Sequence, residues 1–151
     1  MTTEQLSDDP LSLEQQVCFA MVVAARNVVA VYKPVLEPMG LTHTQYLVML
    51  ALWEHAPLSV RELSQLLQLD PGTLSPMLKR LESGGLLERR RNSGDERLLS
   101  VRLTERGKKL REQALLVPPA IVERLGMSMK ELKHLHATLT KVIAATEAVP
   151  V

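Results

Sequence analysis

The chain has 151 residues, 46% hydrophobic and only 3% aromatic, which suits one packed domain with an aliphatic core and excludes disorder of the whole chain. A single cysteine excludes an internal disulfide and fits a reducing, cytoplasmic setting. The formal net charge is only +1, yet three basic residues face eight acidic ones from Met1 to Leu78, a balance of −5, whereas eleven face five from Lys79 to Arg111, a balance of +6. That positive block is the local footprint expected of a polyanion-binding surface.

Residues 1–10 read as a flexible acidic tail, with neither the basic start nor the apolar stretch of a secretory signal. Residues 11–151 read as a single domain. Six helices are predicted, over 12–33, 42–54, 59–67, 70–83, 104–124 and 128–147. Their starts are legible because Ser12–Gln15, Thr42–Gln45, Ser59–Glu62 and Ser128–Glu131 match the capping box, in which a hydroxyl and a carboxylate or amide satisfy exposed N–H groups. Asp70 before Pro71 marks another start, as N-cap and first helical residue, and Thr104 marks the sixth. In the first helix the longest apolar run, Val17–Ala25, ends at Arg26, far short of the ~20 residues of a membrane span, so no membrane partner is expected. Pro118–Pro119 should kink or interrupt the fifth helix.

Between Gly84–Gly85 and Thr104 the period changes to that of strands. Leu86–Arg91 and Leu98–Leu103 read as a hairpin turning at Asn92–Ser93–Gly94–Asp95. The fold class is therefore mainly α with a small β-hairpin wing: a winged helix-turn-helix over residues 58–104.

In that arrangement the second helix of the pair enters the major groove of double-stranded DNA with its early residues toward base edges. Here those are Asp70, Gly72, Thr73, Ser75 and Pro76. Lys79 and Arg80 follow, placed for phosphates, which position without specifying sequence. Leu74, Met77, Leu78 and Leu81 form the inward face. In the wing, alternation sends Arg89 and Arg91 to one side. Arg97, after the turn, is placed to enter a narrow minor groove, with the Asp95 carboxylate available to hold it. The competing readings are a merely solvated basic hairpin and a winged helix used for protein contacts.

The run L-S-V-R-E-L-S-Q-L-L-Q-L-D-P-G-T-L-S-P-M-L-K-R-L-E-S-G-G-L-L-E-R-R (58–90), with D-E-R (95–97) and L-T-E-R-G (103–107), resembles the DNA-binding lobe of the MarR family of bacterial transcription regulators. The resemblance implies a homodimer on a pseudo-palindromic operator, joined through residues 11–40 and 105–148. Q-V-C-F-A (16–20), Y-K-P (32–34), Q-Y-L (45–47) and L-W-E-H (52–55) look like the one-cysteine organic-hydroperoxide resistance regulators of that family. This implies that Cys18 senses organic hydroperoxides and that Tyr32 hydrogen-bonds to it. Two aromatics of related sensors fall at His43 and Val22 here, so His43 is included in the sensing set as a replacement.

A lone cysteine on an apolar helix is also commonly a small buried hydrophobe. Cys18 and Tyr32 are 14 positions apart, about 21 Å along one continuous helix, so they can meet only between two antiparallel first helices of a dimer. Counted from a helix start at 12, Cys18 lies in the second turn. Oxidation would proceed to sulfenic acid and then, with no second cysteine, to a mixed disulfide with a low-molecular-weight thiol. The alternatives are a repressor responding to a small aromatic ligand without redox chemistry and, in another class, a one-cysteine thiol peroxidase. No enzyme motif or cofactor is expected. His134 and His136 lie two apart, on different helix faces, and chelate poorly.

Overall fold

The computed structural model describes residues 9–91 and 99–147. In chain order they form α1 (Val17–Leu36), α2 (His43–His55), β1 (Leu58–Ser59), α3 (Val60–Leu67), α4 (Pro71–Ser83), β2 (Leu87–Arg91), β3 (Leu99–Leu103), α5 (Glu105–Ala114), α6 (Val117–Leu125) and α7 (Met129–Glu147). The architecture is the expected one, mostly helical with a small antiparallel sheet, but the sheet has three strands in the order β1-β3-β2. The strand not foreseen is β1, only two residues long, pairing Leu58 with Val101 and Ser59 with Ser100. Two residues are too few for an alternation to declare itself.

The chain divides into two compact units, up to Val117 and from Pro118. The core of the first is aliphatic: Leu36, Val48, Met49, Leu52, Leu63, Leu74, Leu78, Leu87 and Val101 are almost wholly buried. Met77, expected beside Leu74 and Leu78, is only half-buried.

Helix starts follow the polar punctuation in five of six places. Thr42 with Gln45, Ser59 with Glu62 and Ser128 with Glu131 each form both bonds of the capping box, and Asp70 and Thr104 accept from the third residues beyond them. Ser12 does not. Its side chain makes no cap bond, Leu13–Gln15 form a single 3-10 turn, and Gln16 is extended. The Gln16 amide donates to the carbonyls of Pro10 and Ser12, drawing the chain into a local loop before the helix proper begins at Val17. Cys18 therefore stands in the first turn of α1, not the second. At the other end, α1 continues through Pro34 to Leu36.

The predicted fifth helix is two helices. α5 stops at Ala114, and Pro118 and Pro119 sit in the first turn of α6, where a missing N–H leaves no bond unmade. The prolines start a helix instead of kinking one.

Where α2, α5 and the end of α4 meet, several bonds converge. Trp53 Nε1 donates to the Gly107 carbonyl at 2.9 Å, the Thr104 hydroxyl donates to the Gly85 carbonyl at 2.6 Å, and Gly85 has φ +76°, the left-handed region that favours glycine. A Cβ on Gly107 would lie 2.0 Å from the Leu86 carbonyl oxygen, so only glycine fits.

Two helices leave apolar faces uncovered. α1 buries only Leu36 while exposing Val17, Phe19, Val22 and Val29. α7, in the second unit, buries nothing and exposes Leu135, Leu139 and Ile143, a stripe at intervals of four. The segment Val17–Met39 is long and apolar enough, with a mean hydropathy of 1.5, to cross a membrane by length and composition alone. The expectation of a run far too short counted only consecutive apolar residues and stopped at Arg26; isolated cations do not cancel the hydropathy of a whole helix.

Candidate functional site

α3 ends at Leu67, and Gln68, with φ +53°, turns the chain so that Asp70 can cap α4. Buried Leu74, Leu78 and Leu81 fix the rotation of α4 about its axis. The opposite face then presents Gly72, Thr73, Ser75, Pro76, Lys79 and Arg80 to solvent, all exposed. These expected DNA-facing residues of the helix share one surface.

Asp70 and Thr73 are bonded to each other within that surface. Asp70 Oδ1 accepts the Thr73 N–H at 3.0 Å, and Oδ2 accepts the Thr73 hydroxyl at 2.7 Å. The hydroxyl bond, followed by the backbone bond, holds the Asp70 carboxyl below its usual range. The Thr73 proton is thus committed to Asp70, and what Thr73 offers outward is a lone pair and a methyl group. A Cβ on Gly72 would lie 2.9 Å from Asp70 Oδ1, so glycine preserves this cap. Pro76 lacks the N–H that would have reached the Gly72 carbonyl, leaving a less saturated backbone on the same face.

In the wing, Arg89 and Arg91 lie on one side of β2, as expected, with Arg89 opposite buried Val101. They differ in commitment. Arg89 is tied to Glu82 of α4 through both its N–H (2.8 Å) and its guanidinium (3.2 Å). These bonds, the N–H first, hold the Glu82 carboxyl below its usual range. Arg91, two residues on, is exposed. Arg90 faces the other side and pairs with Glu88 at 3.1 Å. Asp95 and Arg97, with the turn expected at Asn92–Asp95, lie outside the described residues.

The expected sensing residues divide. Tyr32 and His43 come together, with ring centroids 4.7 Å apart at 58°. Tyr46, a residue the sequence reading did not assign to this site, completes the cluster at 5.8 Å from Tyr32. Its signal was available: His43 and Tyr46 are three apart and share a face of α2. Burial pushes the Tyr32 hydroxyl up and the His43 imidazole down, and Tyr46 is raised by burial first and by Tyr32 second. At neutral pH the cluster thus holds protonated phenols and a neutral ring. Beside it lies a mainly apolar cavity of about 520 Å³, lined by Val29, Leu41 and His43 with Arg26 and Lys33 at α1. Cys18 is exposed near the other end of α1 and is not part of the cluster. Val22 is exposed on the same helix.

The model of the transcriptional regulators SarA/Rot matches residues 30–114, from the end of α1 through α5. Over 131 residues the chain is 42% identical to the organic hydroperoxide resistance transcriptional regulator of Bacillus subtilis, covering 87% of this chain and 89% of that one. Among solved structures, reduced AbfR bound to DNA, a protein of Staphylococcus epidermidis, superposes with a TM-score of 0.73 at 34% identity, covering 88% of this chain and 93% of that one. Overoxidised AbfR bound to DNA gives 0.72 at the same identity and coverage.

Proposed function

The chain belongs to the MarR/SarA-type family of transcriptional regulators, and on that premise we propose that it is a cytoplasmic, homodimeric repressor that releases its operator when organic hydroperoxide oxidises Cys18. The observation that carries this reading is the placement of Cys18. It is exposed at the start of a helix that also exposes Val17, Phe19, Val22 and Val29, while the tyrosine expected to serve it stands at that helix's far end among aromatics. Pairing two copies of α1 antiparallel buries those apolar faces and brings Tyr32 of one subunit to Cys18 of the other. α7 offers an exposed stripe of its own to a partner subunit.

A hydroxyl that donates to sulfur favours the thiolate, the form that attacks peroxide. The thiolate takes one oxygen from the hydroperoxide. The O–O bond breaks, the alkoxide leaving group takes a proton to become the alcohol, and Cys18 becomes a sulfenic acid. A low-molecular-weight thiol then displaces water and leaves a mixed disulfide, whose bulk cannot be held between packed helices. The displacement of α1 passes to α2, which shares the Tyr32–His43–Tyr46 cluster, and on to the DNA-reading helices. The DNA surface is α4 with Thr73, Ser75, Pro76, Lys79 and Arg80 outward, capped by Asp70, together with Arg91 and the expected wing residues Asp95 and Arg97. It meets a pseudo-palindromic duplex twice, once per subunit. One oxidation per subunit is a stoichiometric response and not a turnover, which sets this reading apart from a thiol peroxidase.

The test is a band shift on a duplex selected from random sequence by the reduced protein. Wild type should bind and then release on addition of organic hydroperoxide, whereas Cys18→Ser should bind and stay bound. Release of Cys18→Ser under the same treatment would remove the cysteine from the mechanism. The cavity beside His43 favours a second reading, a repressor released by a small aromatic ligand. It predicts release of both proteins by such a ligand without peroxide.

A further inference from the structure

We infer that Glu82 and Arg89 form a clamp that sets the angle of the wing against the recognition helix, making Arg89 a positioning residue and not a DNA contact. The inference rests on the DNA-binding reading above for its purpose, and on bond geometry for its existence. β2 is an edge strand of the sheet, so alternate N–H groups along it point away from β3 and have no partner in the ladder. The Arg89 N–H finds its acceptor outside the sheet, at Glu82 Oε2, 2.8 Å away. The other oxygen, Oε1, accepts from the Arg89 guanidinium at 3.2 Å. One carboxylate therefore grips the backbone and the side chain of a single residue, which restrains both sliding and rotation of the strand.

The bonds span a connection that is held at its turn, where the Gly85 and Leu86 N–H groups donate to the Glu82 and Leu81 carbonyls. Gly84 and Gly85 lie between the clamp's two ends, and Gly85 is in the left-handed region. The bonds to this turn from Thr104 and Arg106 reach the Gly85 and Gly84 carbonyls respectively, upstream of β2. They hold the turn but not the strand. Arg89 and Glu82 side chains are only 22% and 36% exposed, so the pair is partly shielded from solvent. Arg91, two residues further on the same face and the last residue of β2, is exposed. The clamp thus aims the end of β2 and, with it, Arg91.

Three variants of the full-length protein separate the roles. Glu82→Ala removes both acceptors, Glu82→Gln retains an oxygen for the N–H but loses the charge, and Arg89→Met leaves the N–H bond in place. The first readout is hydrogen exchange of the Arg89 amide by NMR in free protein, which requires no DNA. Glu82→Ala should speed that exchange at least about tenfold, the factor that follows from losing one net hydrogen bond, while amides bonded between β2 and β3 are unchanged. The second readout is binding and base preference on duplexes selected by wild type. Glu82→Ala and Arg89→Met should each weaken binding about tenfold, flatten preference only at the bases flanking those under α4, and combine without adding.

Unchanged Arg89 exchange in Glu82→Ala overturns the clamp, whatever the protein does with DNA. Loss with Arg89→Met but none with either Glu82 variant also overturns it, because Arg89 would then touch DNA directly. If wild type binds no duplex at all, the DNA-binding reading fails and the exchange measurement alone decides whether the wing is held. Should Glu82→Ala not fold, Glu82→Gln and Arg89→Met carry the same comparison, with a smaller exchange effect expected for each.

Discussion

A dimer built from two different mutant subunits decides where Tyr32 acts. Both Cys18 and Tyr32 lie in α1, Val17–Leu36, and 14 steps at 1.5 Å separate them by about 21 Å along its axis, many times the length of any hydrogen bond. A contact between them can be made only across subunits. A hydroxyl bond that stabilises the attacking thiolate by about 1.4 kcal/mol is worth about tenfold in rate, so homodimeric Tyr32→Phe should oxidise about tenfold more slowly than wild type. Now pair one Cys18→Ser subunit with one Tyr32→Phe subunit, isolated through two different affinity tags. The single remaining cysteine is on the Tyr32→Phe chain and faces the intact tyrosine of the other. Its sulfenic acid, trapped with a dione reagent under organic hydroperoxide and counted by mass spectrometry, should form at close to the wild-type rate per thiol. If the mixed dimer is as slow as homodimeric Tyr32→Phe, Tyr32 does not act across the interface and the antiparallel pairing of α1 is refuted.

Two further substitutions test the scaffold. Gly107→Ala puts a methyl 2.0 Å from the Leu86 oxygen, so backbone must retreat by more than 1 Å at a point where Trp53 and Thr104 are also bonded; urea unfolding should show a loss of about 1–3 kcal/mol or more, and a loss under about 0.5 would mean the junction is soft. Asp70→Ala should lower the melting temperature through loss of the α4 cap, and the gap from wild type should depend on pH in one direction. Because the folded carboxyl is held below its usual value by Thr73, the cap contributes fully above the unfolded value of about 3.9 and is lost as pH falls through the lower folded value. The gap should be constant near neutrality and close under strongly acidic conditions; a gap that persists there would show that the charge is not what stabilises the cap.

Much of this protein was readable where chemistry is local. A hydroxyl or carboxylate three residues ahead of a backbone donor is a short-range device, and Thr42, Ser59, Asp70, Thr104 and Ser128 each behave as such. Ser12 has the same spacing but loses to Gln16, whose amide reaches back to two carbonyls, a competition that a pattern of four residues does not contain. The exposed face of α4 followed from where its leucines fall. What its side chains do to one another did not, because whether Asp70 faces a base or Thr73 depends on rotamers. Arg89 shows the same limit over a longer range: alternation gave its side of the strand, but that side looks toward Glu82, and only the packing of β2 against α4 reveals it. Tyr46 entered only as part of the Q-Y-L resemblance. Its membership of the aromatic cluster needed the crossing of α1 and α2.

Ser59 has a consequence for how such a protein can be tuned. It is the last residue of β1, the cross-strand neighbour of Ser100, and the residue whose hydroxyl and N–H close the capping box of α3. The helix pair and the wing's sheet are thereby joined at this position as well as through Glu82 and Arg89. If two such heads meet one duplex as proposed, the distance between them must match a groove that recurs about every 34 Å, whatever bases each head reads. Changes outside the head would then alter that distance while leaving what the head reads unaltered.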